Sequence, residues 1–598
     1  FGSGGKPCII QLYCDIAKWK VTSYAHHFYG SKEMCLEDLV RCITGSSSDG
    51  LGISRTGYHF QPPKNWINGP MYYNGIYHLF YQYNPNGAEW GDIVWAHSVS
   101  KDMVNWFHVD IALHPTDPFD ISGCWSGSTT ILPGKGPVIF YTGGDAEKRQ
   151  LQNIAVPKDL SDPLLVEWKK LDQNPVLSTP DGIEHDKFRD PSTGWLGEDG
   201  YWRVIIGSEK SRLGMALLFK SMDFLTWTQS ENTFHSASTA STKNNGMWEC
   251  LDFFPVALKG EAALDTSARG DNIKYVFKVS DQDTFSDFYT VGDYFLNNGE
   301  YYTPDNTVGD PYSPVTALRL DYGKFYASKT FFDEAKNRRI LWAWVNEPDS
   351  NADATARRWA GIQSIPRTLW LDKNEKQLLQ WPVEELATLR TAEVGCTNEP
   401  LTTSRPLFEV RGITAAQADI EVTFRIPSLE NAEVFDPSWV DAQQLCGEKG
   451  AVVQGGIGPF GLLTLASKEL EEYTAVFFRI FKSEDKYVVL MGSGGDRSSL
   501  RGEGLHKPSY GAFVDVDLVD GEISLRCLID HSVVESFGAR GKACITTRIY
   551  PTLAVGKEAH LFAFNYGTET VEIAKLNAWT MKTPEMNLSD GATLLRAA

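Results

Sequence analysis

The chain contains 598 residues and carries a formal net charge of −20 at pH 7. This acidic balance argues against nucleic acids and anionic membranes as partners, because both require basic surfaces. Ten cysteines are too few for a disulfide-based scaffold, and no Cys or His metal-binding motif is present, so we expect no metal and no cofactor. The length and the 12% aromatic content are typical of a globular protein with at least two domains.

The first 54 residues differ from the rest of the chain. Four of the ten cysteines cluster there, and the segment ends in the loop-like TGSSSDGLG. We interpret 1–54 as an atypical N-terminal extension. The chain begins with Phe1 rather than Met and contains no apolar run of about 18 residues, so we expect a processed or incomplete form without a membrane span.

Strand-like segments dominate from Arg55 onwards. β-Branched and aromatic residues recur in short runs separated by Gly, Pro, Asn and Asp turns, for example IYHLFYQYN, DIVWAHSVS, PVIFYTGG, YWRVIIGS and RRILWAWVN. Helical periodicity is nearly absent, so the pattern predicts an all-β class. Groups of such strands over 55–385 favour a β-propeller, which has a pocket on its central axis.

A second β domain is predicted after a linker. The short helical pattern LQWPVEELATLR is followed by the polar GCTNEPLTTS, which indicates a linker over 386–400. Beyond it, ADIEVTFRI, YTAVFFRIF and ISLRCLIDHSVVESF have the alternating pattern of a β-sandwich over 401–598.

Two carboxylates are candidates for glycosidic chemistry, which needs a proton donor and a second acid as nucleophile or base. In FRDP, Arg189 beside Asp190 is expected to keep the acid ionised, and a surface turn with an ion pair is the alternative. In MWECLDFFPV, Glu249 lies between Trp248 and an apolar run, which predicts a desolvated general acid. A strand-edge Glu is the alternative there.

A further pair of acids, Asp530 and Glu535 in LIDHSVVESF, is assigned a structural role. Residues five apart on one strand point to opposite faces, so the two acids are not expected to converge. The histidines have no convincing Ser or Cys partner, and no Gly-rich phosphate loop is present. Acyl and phosphoryl transfer are therefore not expected.

Taken in order, HFQPPKNWINGPMYYNG, WSGSTTILP, FRDP, MWECLDFFPV and IDHSVVESFGARGKACITTRIYP resemble the plant branch of glycoside hydrolase family 32. That branch contains cell-wall invertases, vacuolar invertases and fructan exohydrolases, and this chain resembles a fructan 1-exohydrolase in type. The resemblance implies a five-bladed β-propeller followed by a β-sandwich. It also implies cleavage of terminal β-fructofuranosyl bonds with retention, through a covalent fructosyl-enzyme.

The resemblance implies roles for individual residues. Glu249 resembles the acid/base, and Asp190, with Arg189 beside it, resembles the transition-state stabiliser that contacts the fructosyl hydroxyls. Five further residues match positions that line the fructose pocket of relatives: Asn68, Gln82, Trp90, Trp125 and Ser126. Ordinary propeller core is the alternative for the two tryptophans.

The chain departs from the family at its first motif, where relatives read Trp-Ile/Met-Asn-Asp-Pro-Asn-Gly-Pro and the Asp is the nucleophile. Here the sequence runs directly from Asn68 to Gly69, so Asp-Pro-Asn is missing. The matching flanks favour an in-frame deletion, as a skipped small exon or a faulty gene model would produce. Because loss of a covalent nucleophile costs several orders of magnitude in rate, we expect the chain as written to be nearly inactive.

The resemblance also bears on the substrate. Relatives that favour sucrose tend to carry an Asp, and a Lys or similar base three residues later, in the region of KVSDQDTFSDFY. Those positions hold Gln282 and Phe285 here, which favours a fructan, of inulin type, over sucrose. A register shift of one residue would instead bring Asp281 or Asp283 into the role.

Three alternatives stay open: an invertase acting on sucrose, a non-catalytic protein that binds fructan or sucrose, and, less favoured, a fructosyltransferase, since such enzymes share these motifs. We expect a monomer that is either secreted to the cell wall or located in the vacuole, and glycosylated, with Asn587 in the sequon NLS as the acceptor. Cys446 resembles one half of a disulfide in the sandwich of relatives, but Gly492 stands where its partner is expected.

Overall fold

The computed structural model describes residues 54–61, 69–237, 246–296, 299–305, 312–313, 315–484, 486–502, 504–518 and 520–586. The predicted extension over 1–54 lies outside the described residues, apart from Ser54, and so do Asn68 and Asn587. Within these ranges the chain is almost entirely β, so the predicted class is confirmed.

Five antiparallel sheets follow one another along the first part of the described chain. The first contains β1 (Met71–Tyr73), β2 (Ile76–Tyr83), β3 (Val94–Ser100) and β4 (Phe107–Leu113). The second contains β5 (Gly123–Leu132), β6 (Gly136–Gly144), β7 (Gln150–Pro157) and β8 (Trp168–Lys170). The third contains β9 (Phe188–Arg189), β10 (Trp195–Leu196), β11 (Trp202–Lys210), β12 (Leu213–Ser221), β13 (Thr228–Gln229) and β14 (His235–Ser236).

The fourth sheet contains β15 (Trp248–Ala257), β16 (Ile273–Asp281), β17 (Ser286–Phe295) and β18 (Tyr301–Pro304). The fifth contains β19 (Tyr326–Asp333), β20 (Arg338–Val345), β21 (Ile362–Gln363), β22 (Arg367–Leu371) and β23 (Leu378–Pro382), with the short helix α1 (Asn351–Arg357) between β20 and β21. Strands of the fifth sheet contact β1, which closes the five sheets into a ring.

Alternation of side chains explains how this ring is held together. On β11, Ile205 packs into the apolar cluster shared with the fourth sheet, whereas Val204 and Ile206 pack into the cluster shared with the second. Successive residues of a strand point to opposite faces, so a strand that is apolar at every position can serve two neighbours. One such cluster lies between each pair of adjacent sheets, including the fifth and the first. This is the predicted five-bladed propeller.

Two further sheets form the β-sandwich. The six-stranded sheet contains β24 (Arg390–Leu401), β26 (Gln417–Arg425), β32 (Glu522–Asp530), β33 (Val533–Gly538), β34 (Ala543–Arg548) and β36 (Val571–Met581). The seven-stranded sheet contains β25 (Leu407–Glu409), β27 (Glu433–Val434), β28 (Ile457–Ala466), β29 (Thr474–Lys482), β30 (Tyr487–Gly494), β31 (Tyr510–Val514) and β35 (His560–Asn565). The helix α2 (Ala442–Lys449) covers the outer face of the seven-stranded sheet. Short 3-10 helices span Glu384–Leu389, Ala539–Gly541 and Gly556–Glu558.

The linker predicted over 386–400 was wrong. The end of the 3-10 helix leads directly into β24, which pairs with β36 along most of its length. Val394 and Cys396, two residues apart on this strand, pack against the sandwich core, whereas Glu393, Gly395 and Thr397 are exposed. This strand lies at the edge of its sheet, so its outward positions are polar. These polar residues made the alternation of Val394 and Cys396 hard to recognise in the sequence.

Asp530 and Glu535 have the predicted structural role, but the geometric reason was wrong. A turn at His531–Ser532 separates β32 from β33, so the two acids lie on different strands and converge. Asp530 Oδ2 lies 2.9 Å from Nδ1 of His59 and Glu535 Oε1 lies 3.1 Å from its Nε2. Residues five apart point to opposite faces only along a continuous strand. Because these two acids belong to a hairpin, that rule does not apply to them.

Cys446 on α2 is a free, buried thiol. Gly492 on β30 lies directly opposite, since a Cβ at that position would be 2.6 Å from the Cys446 sulfur. The pair expected from the resemblance therefore faces each other across the outer layer of the sandwich, with a glycine in place of the second cysteine.

Candidate active site

The candidate site residues lie at or next to the first strand of successive sheets. Trp125 and Ser126 belong to β5, Asp190 directly follows β9, and Glu249 is the second residue of β15. Tyr326, the first residue of β19, contributes from the fifth sheet. Because the first strands of a propeller surround its axis, side chains far apart in sequence meet at one point.

Asp190 adopts a left-handed backbone conformation with φ of +65°. Such a conformation is uncommon for a residue other than glycine and is maintained only where the surroundings enforce it. Here the Asp190 amide donates to the Thr142 hydroxyl over 2.8 Å, and that hydroxyl donates to Gln152 Oε1 over 2.8 Å. Gln152 in turn donates to the Phe188 carbonyl, so strands of the second sheet hold the turn that presents Asp190.

A β-bulge presents Glu249. The pairing of β15 with β16 shifts in register between Glu249 and Asp252, and Cys250 within the bulge has a left-handed φ of +47°. Bulges re-aim the side chains beside them. The Cys250 amide donates to Asp190 Oδ2 over 3.0 Å, which ties the bulge to the second candidate acid.

Two buried lysines support this bulge from beneath. Lys278 Nζ donates to the Cys250 carbonyl over 3.2 Å, and Lys329 Nζ donates to the Leu251 carbonyl over 2.9 Å. Both carbonyls belong to residues that the register shift removes from regular pairing, so the lysines replace the missing donors. Burial lowers the pKa of Lys329, while the nearby Cys250, Asp252 and Asp190 oppose that shift.

Arg189 connects the acid/base candidate to the predicted specificity region. Its Nε and Nη2 donate to Glu249 Oε1 over 2.9 and 2.8 Å, and Nη2 also donates to Gln282 Oε1 over 2.9 Å. The Tyr326 hydroxyl donates to Glu249 Oε2. The apolar environment predicted for Glu249 was therefore wrong: Trp248 is fully buried in the core, whereas the next side chain on the strand points to the opposite face, with 19% of it exposed.

Arg189 lowers the pKa of Asp190, which is the predicted direction, but stronger effects outweigh it. Burial raises the pKa of Asp190 most, and the charge of Glu249 raises it further. These effects outweigh those of Arg189 and Lys329, which lower it, so the pKa lies above its ordinary value. Arg189 makes its hydrogen bonds to Glu249 rather than to its sequence neighbour. An adjacent Arg in the sequence therefore did not reveal which carboxylate it neutralises.

The predicted sugar-contacting residues of the first two sheets lie together. The Gln82 amide donates to the Ser126 hydroxyl over 2.9 Å, and the rings of Trp90 and Trp125 lie 5.6 Å apart, with Trp90 58% exposed. Trp90 is therefore not part of the propeller core, the alternative given above, because core tryptophans are largely buried. Its exposed ring next to Trp125 is available for contact with a sugar.

The shortened first motif ends beside this cluster. Residues 62–68 lie outside the described part of the chain, but Gly69 is described and has a φ of +22°. A Cβ at Gly69 would lie 3.1 Å from the ring of Trp95, whose indole donates to the Trp125 carbonyl over 2.9 Å. The chain thus leaves the motif next to the backbone of the candidate sugar-binding residues.

The turn between β16 and β17 contains the predicted specificity residues. Gln282 reaches Arg189, and the Phe285 ring, 51% exposed, lies 5.1 Å from that of Tyr326. The alternative register is not supported by the geometry. Asp281 is buried and accepts from the Asp283 and Thr284 amides of the turn, and Asp283 pairs with Arg212.

Sequence reasoning missed four residues of the site: Thr142, Lys278, Tyr326 and Lys329. None belongs to a recognisable motif. The two lysines lie within otherwise buried strands, and a charged residue in such a strand usually requires a buried partner. Their position in the sequence could have identified the two lysines as candidates, but it could not have shown that they contact the carbonyls of the bulge.

Two family models match this chain, one over the propeller and one over the sandwich. Residues 59–382 match the glycosyl hydrolases family 32 N-terminal domain, and residues 385–580 match the glycosyl hydrolases family 32 C-terminal domain. The chain belongs to glycosyl hydrolase family 32. Its two acids, held by a bulge and a strained turn, are thus part of a hydrolase fold.

Curated relatives and solved structures agree with this assignment. An insoluble isoenzyme 1 of β-fructofuranosidase from Daucus carota is 56% identical over 89% of this chain and 90% of the relative. The insoluble isoenzyme CWINV1 from Arabidopsis thaliana is 54% identical over 89% and 91%. The crystal structure of fructan 1-exohydrolase IIa from Cichorium intybus is 50% identical, with a TM-score of 0.85 over 89% of this chain and 98% of that one.

Proposed function

We propose that this fold is that of a fructan exohydrolase, which releases terminal β-D-fructofuranosyl units from inulin-type chains, and that the chain as written is catalytically impaired. The observation that carries the proposal is the Arg189 bridge between Glu249 and Gln282. It joins the candidate acid/base to the turn that the sequence identifies as the specificity region.

In this proposal Glu249 protonates the leaving oxygen and later deprotonates the attacking water, as a retaining mechanism requires. Arg189 and Tyr326 orient its carboxylate through hydrogen bonds to opposite oxygens. Asp190 accepts hydrogen bonds from fructosyl hydroxyls with its remaining lone pairs, since Oδ2 already accepts from Cys250.

The impairment follows from the first motif. The two acids described above account for an acid/base and a stabiliser, but a retaining mechanism also needs a carboxylate nucleophile beside the acid/base. Relatives carry it between the residues that correspond to Asn68 and Gly69, where this sequence has nothing. Without it no fructosyl-enzyme forms, and turnover is expected to fall by several orders of magnitude.

The test compares three purified proteins: this chain, the chain with Asp-Pro-Asn inserted between Asn68 and Gly69, and the chain with Ala-Pro-Asn inserted there. Fructose release from 1-kestose, inulin, levan and sucrose is measured for each. We expect activity only with Asp-Pro-Asn. The Ala-Pro-Asn protein restores the length of the turn without the carboxylate, so its inactivity separates loss of the nucleophile from a shortened loop.

Substrate preference has its own test in the repaired protein. Replacing Gln282 with Asp and Phe285 with Lys introduces the charged pair of sucrose-preferring relatives. We expect the ratio of kcat/KM for sucrose to that for 1-kestose to rise at least about tenfold, because a polar clamp on the glucosyl unit discriminates strongly. An unchanged ratio would remove the basis for assigning these two positions to specificity.

An invertase is the second candidate, because β-fructofuranosidases are among the most similar curated relatives. It is favoured if the repaired protein prefers sucrose over both fructans. A non-catalytic fructan- or sucrose-binding protein is the third, and it is favoured if the Asp-Pro-Asn protein binds 1-kestose but releases no fructose. The name of the insoluble relatives supports secretion to the cell wall, and no helix among the described residues is long and apolar enough to span a membrane.

A further inference from the structure

A cavity of about 420 Å³ opens at one end of the seven-stranded sheet, and neither of the two acids lines it. Its lining residues all lie between Thr403 and Gly567, so none comes from the propeller. They belong to the loops around β25, β28, β29, β30 and β35. A cavity of this size falls within the range of about 300–1,000 Å³ that is typical of small-molecule sites.

Aromatic and polar side chains whose polar groups make no hydrogen bond or ion pair among the described residues line this cavity. The Tyr473 and Tyr566 hydroxyls, the Gln454 amide and the Arg497 guanidinium make no hydrogen bond or ion pair with the described residues. Arg497 lies over the Tyr473 ring, 5.7 Å from its centroid. Tyr473 is only 6% exposed, so a phenol set into the wall of the cavity presents an unused donor.

The two tyrosines remain hydrogen-bond donors at any physiological pH. Burial raises the pKa of both, and each phenol lies close enough to Arg497 for the guanidinium to affect its titration. Two phenols, a guanidinium and an amide therefore converge on one space. This combination of apolar rings and fixed donors is what a polyhydroxylated ligand requires.

The charge around the cavity favours a neutral ligand over an anion. Among the described residues that line the cavity, Arg497 alone is charged, and the Asp496 carboxylate beside it acts on Tyr473 with the opposite sign. A dedicated anion site usually carries several cationic groups or a bidentate Arg without a competing carboxylate. None of the described lining residues carries a carboxylate, so a cation is also not favoured.

We propose that this cavity, here called the sandwich site, is an accessory binding site for short neutral oligosaccharides. Its ligand would be a stretch of the same fructan chain that the propeller processes, and that identity rests on the proposed function. A second point of attachment raises the effective concentration of chain ends near the two acids without any new contact at the catalytic site.

The experiment measures binding rather than turnover. Titration calorimetry with 1-kestose is performed on the full chain carrying Glu249→Gln, which prevents hydrolysis, and on the same protein with Tyr566→Ala, Arg497→Ala or Gln454→Ala. Each of the three substitutions is expected to raise the Kd of one binding event, by at least about tenfold for Tyr566→Ala, while Asp190→Ala leaves that event unchanged. Arg411→Ala, which removes an exposed guanidinium from the other end of β25, is the matched control.

The outcomes are distinguishable from those of the hydrolysis test. If the repaired enzyme fails to release fructose but 1-kestose binding depends on Gln454 and Arg497, the sandwich site stands and the proposed function falls. Binding of 1-kestose that none of the three variants alters would overturn the sandwich site. Binding of inorganic phosphate that depends on Arg497, without binding of 1-kestose, would overturn the ligand class. Should Tyr566→Ala unfold the protein, the exposed Gln454 and Arg497 still decide the question.

Discussion

Asp190 and Cys250 show how single residues carry strain at the candidate active site. Both adopt left-handed backbone conformations, and they face each other through the hydrogen bond from the Cys250 amide to Asp190 Oδ2. Strain of this kind persists where the surrounding structure over-determines the conformation. Thr142 on one side and the two lysines on the other provide that constraint.

The burial of Asp190 has a consequence for stability. Because its pKa is raised in the folded state, ionising this carboxyl costs stability once the pH exceeds its ordinary value of 3.8. We expect Asp190→Asn to raise the Tm at pH 7, with the gain disappearing below about pH 4, where the unfolded carboxyl is also protonated. Thermal unfolding from pH 3.5 to 7 measures this, and a gain that does not depend on pH would contradict the assignment.

The same substitution should have an opposite effect on activity. In the protein repaired with Asp-Pro-Asn, Asp190→Asn removes a charge proposed to face the transition state, and we expect kcat to fall by about a hundred- to a thousandfold. Steady-state kinetics with 1-kestose provide the test. A variant that is both stabilised and fully active would show that Asp190 does not contact the substrate.

At the scale of elements, the hairpin of β32 and β33 carries the carboxylates that hold His59. The hydrogen bonds and charges of Asp530 and Glu535 outweigh burial and raise the pKa of His59 to about 9. In the sequence, His59 precedes the first motif by only a few residues. The hairpin of the sandwich thus anchors the segment that leads into the candidate active site.

His59 predicts a pH dependence of stability. A histidine whose pKa rises from 6.5 to about 9 on folding stabilises the protein fully below pH 6.5, and that contribution is lost as the pH rises through 9. We expect the free energy of unfolding to fall by on the order of a few kcal/mol across this interval. Urea unfolding at pH 6, 7.5 and 9 should show the loss in the parent chain and a flatter profile in His59→Gln. His560→Gln, on β35, is the control that should keep the parent profile.

The layer of α2 against β30 predicts a packing effect. A Cβ at Gly492 would lie 2.6 Å from both the Cys446 sulfur and the Phe477 ring, so Gly492→Ala should destabilise the fold by about 1–3 kcal/mol. On the same strand, Gly494→Ala is a matched control, because its nearest neighbours would be 3.9 Å away. Equal stabilities of the two variants in urea unfolding would mean that α2 does not pack here as described.

At the scale of the whole molecule, buried charges connect the propeller to the sandwich. Arg367 of the fifth blade donates to Glu535 on β33 over 2.6 Å and to Asp321 over 3.0 Å, and all three side chains are fully buried. Apolar residues from both parts surround this network. Because these ion pairs between the propeller and the sandwich are fully buried, we expect the two domains to unfold together rather than independently.

Arg367 predicts the strength of that connection. Arg367→Met leaves two buried carboxylates without their shared partner and should cost about 3–5 kcal/mol. Differential scanning calorimetry should show one transition in the parent chain, shifted to lower temperature in the variant. Arg411→Met, at the exposed surface, should leave the transition unchanged. Two separate transitions in the parent chain would contradict the coupling.

Much of this organisation could be read from the sequence, because it depends on local pattern. The consecutive apolar residues in runs such as YWRVIIGS specify a strand that is buried on both faces, and the structure uses both faces of β11. The order of the motifs indicated the family, the five-bladed ring and the pairing of Asp190 with Glu249. The missing tripeptide is also a property of the sequence alone.

Only the tertiary structure decided which groups surround each acid. The neighbours of Glu249 come from β9, the β16–β17 turn and β19, and no local pattern specifies how ring closure brings them together. The convergence of Asp530 and Glu535 on His59, and the strand at 390–401, likewise depend on pairings across long stretches of chain. Local sequence determines which face a side chain takes, whereas its charge environment depends on distant residues that approach it only in the folded ring and sandwich.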